Sequence, residues 1–327
     1  MSTRSNPPRV SIAAAVLDEA EVLPEFLRRC QAVLDGVPGD GHELLLVDDG
    51  SSDGSGDLIA AAAESDPRIR LIGLSRNFGH QRALRCALDH VAGEVVILMD
   101  ADLQDPPEAI PDFLARWRDG FDVVYARRVE RKEGPLLRAG YWLHYRLLAA
   151  QSAVPLPVDA GDFSLLSRRV VDAMAAAPER HRYLRGLRAW VGFEQTGIDV
   201  ERGARAAGRS KYSPLRLLAL AADGLFAFST LPLRAVTALG CLAMLLSGAF
   251  GLYAVYAKAF HDRSPRGFTA LIVAIVFLSG VQLLSLGVIG EYLGRVYDEV
   301  KARPPYVIAR RAGRPSSPAG SPQGPRG

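Results

Sequence analysis

The chain has 327 residues, of which 49% are hydrophobic and 23% are charged. This composition is globular and excludes a disordered or fibrous chain. The 39 basic and 36 acidic residues leave a net charge of +3, which is too balanced for a general nucleic-acid binder. The three cysteines, Cys30, Cys86 and Cys241, are far apart and odd in number. They indicate neither a metal cluster nor a disulfide framework, and they fit a reducing compartment.

The first half of the chain predicts strands that alternate with helices. Apolar residues recur at helical spacing in Glu21 to Val33 and in His80 to Val91. The predicted strands are Val10 to Val16, Leu44 to Val47, Ile69 to Leu74, Val95 to Met99 and Val123 to Ala126. Strands and helices that alternate with short loops predict an α/β fold with a mostly parallel sheet covered on both faces. Ligands of such sheets bind beyond the carboxyl ends of the strands.

Acidic residues follow the fourth predicted strand. Asp100, Asp102 and Gln104 are spaced two residues apart, so in an extended chain their side chains point the same way. Their oxygens suit a hard divalent cation such as Mg²⁺, which usually shares its ligands with substrate phosphates. Asp is also common in turns, so a plain turn after the strand is the alternative explanation.

A second acidic pair, Asp48 and Asp49, follows the second predicted strand. Two adjacent carboxylates are costly together unless solvent, a cation or a hydrogen-bond donor compensates them. A nucleotide base N–H or a ribose hydroxyl is such a donor. The alternative is that the segment, Ser51 to Asp53 included, forms only a helix cap and turn. The pattern leaves a nucleotide site and a structural turn both open.

Two long uncharged stretches lie towards the carboxyl terminus. Ala235 to Ala257 has 23 residues and Gly267 to Gly290 has 24, so each helix would be about 35 Å long. That length is enough to cross a hydrocarbon core of about 30 Å. We expect two membrane-spanning helices within 233–293, and a pair of buried helices in a soluble protein is the alternative.

The flanks of these stretches predict their orientation. Residues 291–327 carry seven basic residues against three acidic ones, and residues 1–9 lack the apolar stretch of a signal peptide. We therefore expect both termini in the cytoplasm, with a cytoplasmic juxtamembrane segment at 294–311 and a disordered tail at 312–327. The Leu- and Phe-containing segment 213–232 is predicted to lie at the membrane interface.

Five short motifs occur in order along the chain. They are VDDGS at 47–51, LSRNFGHQ at 74–81, DADLQDPPE at 100–108, Gly161-Asp162-Phe163 and Arg205-x-x-Gly208-x-Ser210-Lys211-Tyr212. Together they resemble the family 2 polyprenyl-phosphate glycosyltransferases, especially the bactoprenol glucosyltransferases and their relatives the dolichol-phosphate mannose synthases. The resemblance covers residues 9–310. It implies a cytoplasmic catalytic domain of the GT-A (Rossmann-like) fold at 10–212, after an N-terminal tail at 1–9 and before the interfacial and membrane helices.

The resemblance also implies how the donor is bound. A divalent cation, Mg²⁺ or Mn²⁺, would be held by Asp100, Asp102 and Gln104. The residues expected to contact the nucleotide sugar all follow strands or lie in the quoted motifs; they are Glu19, Asp48, Asp49, Asn77, Asp100 and Asp102.

Catalytic and acceptor-binding roles follow in the same way. Asp162 is the carboxylate that matches the family, Asp159 is a nearby competitor, and Arg205 and Lys211 would assist. Basic clusters suit a phosphorylated substrate, because arginine can grip phosphate with two parallel hydrogen bonds. The residues expected to hold the acceptor phosphate are Arg127, Arg131, Arg205, Ser210 and Lys211.

The implied reaction is an inverting transfer of a hexose from a nucleotide sugar to a lipid phosphate at the cytoplasmic membrane face. We expect UDP-glucose and undecaprenyl phosphate, with GDP-mannose as the alternative donor. By analogy with phosphoamino acids, the second pKa of the acceptor phosphate is about 6. Most of it is therefore ionised near neutral pH, and Asp162 is expected mainly to orient the sugar or the acceptor.

Two other classes of function remain open. A processive polysaccharide synthase also uses this catalytic domain, but it usually carries a Gln-x-x-Arg-Trp motif. The nearest string here, Arg185 to Trp190, lacks that motif. A non-catalytic membrane scaffold is the other alternative, although all three metal ligands are present. Relatives suggest a homo-oligomer such as a tetramer, and no nucleic-acid partner is expected.

Overall fold

The computed structural model describes residues 9–128, 160–177, 184–201, 231–261 and 267–313. These residues divide into two compact units. One unit holds the described residues up to 201 together with 304–313, and the other holds 231–261 and 267–303. All predicted site residues that are described belong to the first unit.

The first unit alternates strands and helices along the chain. Its strands are β1 (Val10–Val16), β2 (Glu43–Asp48), β3 (Ile69–Leu74), β4 (Val95–Asp100), β5 (Val123–Arg128), β6 (Ala160–Ser167), β7 (Gln195–Val200) and β8 (Ile308–Ala312). Its helices are α1 (Leu23–Gly36), α2 (Ser55–Ser65), α3 (His80–His90), α4 (Ile110–Arg118), α5 (Arg168–Ala176) and α6 (Leu184–Trp190). A short 3-10 helix, Pro107–Ala109, precedes α4.

These strands form one sheet in the order β7-β5-β6-β4-β1-β2-β3-β8. The four adjacent strands β4, β1, β2 and β3 are parallel to one another, and β5 is parallel to β7. The strand β6 runs antiparallel to β4 and β5, and β8 runs antiparallel to β3. The sheet is mostly parallel, so the predicted α/β class is confirmed.

Helices cover both faces of the sheet because the buried strands present apolar side chains to both sides. On β1, Ile12 and Ala14 face one core with Phe26 of α1 and Phe113 of α4. The intervening residue Ala13 faces the second core, which α3, α5 and α6 cover. Apolar residues at helical spacing provide the buried face of each helix. The two cores hold the strand ends in fixed register at the edge where the predicted acidic motifs lie.

The second unit contains two long helices that contact each other, α7 (Leu231–His261) and α8 (Phe268–Val300). Within them, Val236–Tyr253 and Phe277–Val300 are long and apolar enough to cross a membrane, by length and composition. Large apolar side chains on both helices are exposed, including Leu252 at 75% and Leu283 at 71%. The described chain therefore does not bury these helices in a protein core, which was the alternative for the two uncharged stretches.

Three strands of the sheet, β6, β7 and β8, were not among the predicted elements. The strand β8 spans the boundary between the expected juxtamembrane segment, 294–311, and the expected disordered tail, 312–327. The structure instead pairs residues up to Ala312 with β3 of the sheet. The predicted interfacial segment, 213–232, lies largely outside the described residues.

Candidate functional site

Three neighbouring parallel strands, β2, β1 and β4, end at one edge of the sheet. Val16 at the end of β1 pairs with Asp48 on β2, and Ala15 pairs with Asp100 on β4. The two acidic motifs are therefore brought together on either side of β1, at the edge where ligands of parallel sheets bind.

The loop after β1 is tied to the loop after β2. The backbone N–H of Asp18 donates to Ser51 Oγ, and the N–H of Glu19 donates to Ser55 Oγ, both at 3.0 Å. In return, the N–H of Ser52 donates to the Asp18 carboxylate at 2.8 Å. Glu19, a predicted nucleotide contact, is half-buried at this junction. Ser51, Ser52 and Ser55 thus fix the position of the loop that carries Glu19.

Asp48 and Asp49 are both buried and both organise neighbouring loops. Asp48 accepts a hydrogen bond from the N–H of Ser51 at 2.9 Å. The two carboxylate oxygens of Asp49 accept from the N–H groups of Phe78 at 2.7 Å and Gly79 at 2.9 Å. Burial raises the pKa of Asp49 above its usual range, although these two hydrogen bonds act in the opposite direction.

The same contacts position the loop after β3. Asn77, a predicted nucleotide contact, precedes the two residues that bind Asp49, and its side chain is exposed at the site edge. Its backbone packs closely against Gly50, where a Cβ atom would lie 2.8 Å from the Asn77 nitrogen. The chain then enters α3 at His80, so Asp49 also sets the start of that helix.

Asp100 lies at the centre of a cluster of acidic groups. Burial raises the pKa of Asp100 above its usual range, and the negative charges of Asp162, Asp105 and Asp102 raise it further. His80 opposes this rise, since its Nε2 atom lies 3.3 Å from Asp100 Oδ1. His80 lies in the motif at 74–81, and the resemblance implied no role for it.

The predicted metal ligands begin at the last residue of β4 and continue in a bent segment, not in the extended chain that their spacing predicted. Leu103 adopts a positive φ of 60°, and the N–H of Gln104 donates to Asp102 Oδ1 at 3.1 Å, so the chain turns tightly after Asp100. Within the described ranges, no three His, Cys, Asp or Glu side chains form a ready-made metal cluster. Two carboxylates and an amide are a partial set, which suits Mg²⁺ or Mn²⁺ completing its coordination with water and phosphate oxygens. A cation there would also compensate the crowded negative charge.

Asp162, whose side chain is 10% exposed, forms an ion pair with the half-buried Arg185 of α6. The Arg185 Nε and Nη2 atoms donate to the two carboxylate oxygens of Asp162 at 2.7 and 2.8 Å. Burial alone would raise the pKa of Asp162, but the Arg185 hydrogen bonds and charge outweigh it and hold the pKa below the usual range. Arg188 adds positive charge from the next turn of the helix and donates to the Gly161 carbonyl at 3.2 Å.

The remaining predicted residues are only partly described. Arg127, at the end of β5, forms an ion pair with Asp199 of β7 at 3.0 Å, and both side chains are exposed. Such a pair costs little to break, so it leaves Arg127 able to exchange partners. Five predicted residues lie outside the described part of the chain, namely Arg131, Asp159, Arg205, Ser210 and Lys211.

Comparison with known proteins assigns the chain to a family. Residues 11–174 match the family model described as glycosyl transferase family 2. The chain is also 41% identical over 307 residues to an uncharacterized glycosyltransferase, YkcC, of Bacillus subtilis (strain 168), with 93% of this chain and 94% of that protein covered. The chain belongs to glycosyl transferase family 2. The predicted enzyme class and the resemblance to this family are confirmed.

Other relatives of this glycosyltransferase carry more specific names. It is 37% identical over 303 residues to an SfII prophage-derived bactoprenol glucosyl transferase of Shigella flexneri, covering 92% of this chain and 98% of that protein. It is 35% identical over 303 residues to a prophage bactoprenol glucosyl transferase homolog of Escherichia coli (strain K12), with 92% and 99% covered.

One solved structure is similar to this chain at a much lower sequence identity. The Pyrobaculum calidifontis mannosyltransferase PcManGT, in complex with GDP-Man and Mn2+, is 18% identical and has a TM-score of 0.46, with 86% of this chain and 88% of that chain covered. This likeness is too weak to bear on the ligands of the glycosyltransferase.

Proposed function

We propose that this glycosyltransferase transfers glucose from UDP-glucose to undecaprenyl phosphate, with inversion at the anomeric carbon. The observation that carries the proposal is the 37% identity to a bactoprenol glucosyl transferase over 92% of the chain and 98% of that relative. The acidic edge of the sheet supports it, because Asp100 and Asp102 are suited to a cation that binds a nucleotide diphosphate.

The donor would bind at the ends of β1, β2 and β4. Asp100, Asp102 and Gln104 would hold Mg²⁺ or Mn²⁺, which when bound supplies positive charge to the leaving diphosphate. The nucleotide would lie against the loops that carry Glu19, Asp48, Asp49 and Asn77. Without a cation, this acidic edge of the sheet would repel an anionic donor. We therefore expect binding of the nucleotide sugar to depend on the cation.

Asp162 would orient the sugar or the acceptor and would not act as a strong base. Its carboxylate is held by both arms of Arg185 and its pKa is low, so it is ionised but weakly basic at neutral pH. The acceptor phosphate has a second pKa of about 6 by analogy with phosphoamino acids, so it needs little help to lose a proton. The residues proposed to bind that phosphate are Arg127, which the structure describes, and Arg131, Arg205, Ser210 and Lys211, which lie outside the described residues. Asp159, also outside them, stays the proposed alternative to Asp162, and Arg205 and Lys211 would assist catalysis.

A lipid acceptor implies that the enzyme works at a membrane, and the two long apolar helices support this. We propose that α7 and α8 span the membrane and that both termini are cytoplasmic. The first unit, which comprises the described residues up to 201 and 304–313 and is named the catalytic unit, would also be cytoplasmic. The net basic character of residues 291–327 supports this orientation. We also propose that the glycosyltransferase forms a homo-oligomer.

The direct test is a transfer assay on the purified full-length protein in detergent. The assay contains Mg²⁺, undecaprenyl phosphate and, in separate reactions, labelled UDP-glucose, UDP-galactose or GDP-mannose. We expect label from UDP-glucose alone to enter the organic phase, and EDTA to abolish the transfer. Asp102→Asn should lower the rate at least about 100-fold, whereas the exposed Asp112→Asn in α4 should not change it.

Other products of this assay would identify other functions. Transfer from GDP-mannose instead would identify a mannose synthase. A long polymer attached to the acceptor would identify a processive synthase. A folded protein that binds neither UDP nor GDP would be a scaffold, and the proposed enzyme function would be wrong.

A further inference from the structure

The strand β8 brings a basic residue from the end of the chain to the candidate donor site. It pairs with β3 so that Arg310 lies opposite Gly73. The Val307 carbonyl accepts from the N–H of Ser75 at 2.9 Å, and the Tyr306 hydroxyl donates to Asp89 of α3 at 2.9 Å. The segment is therefore anchored on both the edge strand and a covering helix of the catalytic unit.

The Arg310 side chain runs over two glycines towards the acidic edge. A Cβ atom on Gly73 would lie 2.6 Å from Arg310 Cγ, and one on Gly56 would collide with the Arg310 guanidinium. Any larger residue at these two positions would displace the side chain. The guanidinium reaches Asp57 Oδ1 at 2.6 Å and Asp48 Oδ2 at 3.5 Å.

Of these two carboxylates, only that of Asp48 is buried. The Asp48 side chain is 6% exposed, against 81% for Asp57. A buried carboxylate requires compensating donors, and Arg310 supplies one to Oδ2 while the Ser51 N–H supplies one to Oδ1. The two donors together define the orientation of Asp48 and of the loop that follows β2.

We propose that Arg310 is a positioning residue of the donor site, acting on the nucleotide through Asp48. This inference rests on the proposed function, because it takes the end of β2 to contact the nucleotide sugar. It makes the strand that follows the second apolar helix in the chain a part of the donor-binding machinery. A purely structural Arg310 would affect folding and the amount of active protein, but not the KM for the donor.

The test compares two arginines on one strand. Arg311 follows Arg310 on β8, and its Nη2 atom lies 3.2 Å from His90 Nε2, away from Asp48. Arg310→Met keeps the hydrocarbon stem over the glycines and removes the charge, and Arg311→Met removes the same charge from the neighbouring position. For each full-length variant we would measure the Kd for UDP, the KM for UDP-glucose, kcat and the melting temperature.

We expect Arg310→Met to raise the Kd for UDP and the KM for UDP-glucose about tenfold, as for the loss of a charge-assisted hydrogen bond. Its kcat should stay within about twofold, since only positioning of the bound donor is weakened. Arg310→Lys retains the charge but has one ammonium group in place of the two guanidinium nitrogens that contact Asp57 and Asp48. It should recover part of the loss. Arg311→Met should leave both constants unchanged.

Four results would overturn the inference. If Arg310→Met still transfers glucose and its KM for UDP-glucose is unchanged, the inference is wrong and the proposed function stands. Equal losses in Arg310→Met and Arg311→Met would show that strand charge or docking matters, and not the contact with Asp48. A wild-type protein that binds no UDP would defeat both the proposed function and this inference. If Arg310→Met does not fold, Arg310→Gln with an unchanged KM would likewise refute it.

Discussion

At the scale of single residues, the ion pair between Asp162 and Arg185 decides how the site can work. A two-armed contact at 2.7 and 2.8 Å keeps this carboxylate ionised. A carboxylate whose pKa is lowered in this way is a poor proton acceptor. Its fixed direction instead suits it to holding a hydroxyl group of the sugar or a group of the acceptor.

This predicts that Asp162→Asn loses activity at every pH. We expect kcat to fall at least about 100-fold, the scale of a lost positioning contact. The loss should be the same at pH 7 and pH 9, because the acceptor phosphate is ionised at both. Steady-state rates of the purified variant across this range give the test. Arg185→Lys is the matched variant and should lose less, since it keeps the charge. Full recovery of Asp162→Asn at pH 9 would show that Asp162 acts as a base.

At the scale of elements, the site depends on loops that fit against one another at glycines. Gly50 follows the Asp48–Asp49 pair with a φ of +77°, in the left-handed region. A Cβ atom there would lie 2.6 Å from the carbonyl carbon of Arg76, in the loop after β3. The N–H groups that bind Asp49 come two and three residues after Arg76. Gly50 therefore allows the loops after β2 and β3 to meet.

We predict that Gly50→Ala damages the site more than Gly54→Ala. Gly54 also has a left-handed φ, +89°, but a Cβ atom there would meet nothing within 4 Å. Gly54→Ala should therefore lose only about 1–2 kcal/mol from the left-handed conformation. Gly50→Ala adds a clash with backbone and should lower the melting temperature further and raise the KM for the donor. Thermal unfolding and donor kinetics of both variants provide the measurement. Equal melting temperatures would contradict the role assigned to Gly50.

Elements with a strong local pattern could be predicted from the sequence, and those defined by distant partners could not. The strands β1 to β5 are apolar runs bounded by polar loops, and Asp48 and Asp100 end two of them. The strand β8 has no comparable pattern, because three of its five residues are exposed and it pairs with β3, which lies far earlier in the chain. The contact of Asp162 with Arg185 joins different elements, so motif spacing contained no signal for it.

At the scale of the whole molecule, the natural cysteines provide a test of whether α7 is surrounded by lipid or by water. Cys30 and Cys86 are buried in the catalytic unit, whereas Cys241 is exposed within the apolar stretch Val236–Tyr253. Burial raises the pKa of the Cys30 thiol, and it raises that of Cys86 to about 12. Since the thiolate is the reactive form, neither should react with a maleimide in the folded protein. Cys241 is thus the native thiol that tests the environment of α7.

We predict that a charged maleimide does not label the wild-type protein in inside-out membrane vesicles, because the proposed membrane span places Cys241 in lipid. Val307→Cys, at a position that is 49% exposed in the catalytic unit, should be labelled in the same vesicles if this unit has the proposed cytoplasmic orientation. The protein should also stay in the membrane after an alkaline carbonate wash. Labelling of Cys241 as fast as Val307→Cys, with release by carbonate, would place α7 in water. Labelling of Val307→Cys only in right-side-out vesicles would instead reverse the proposed orientation.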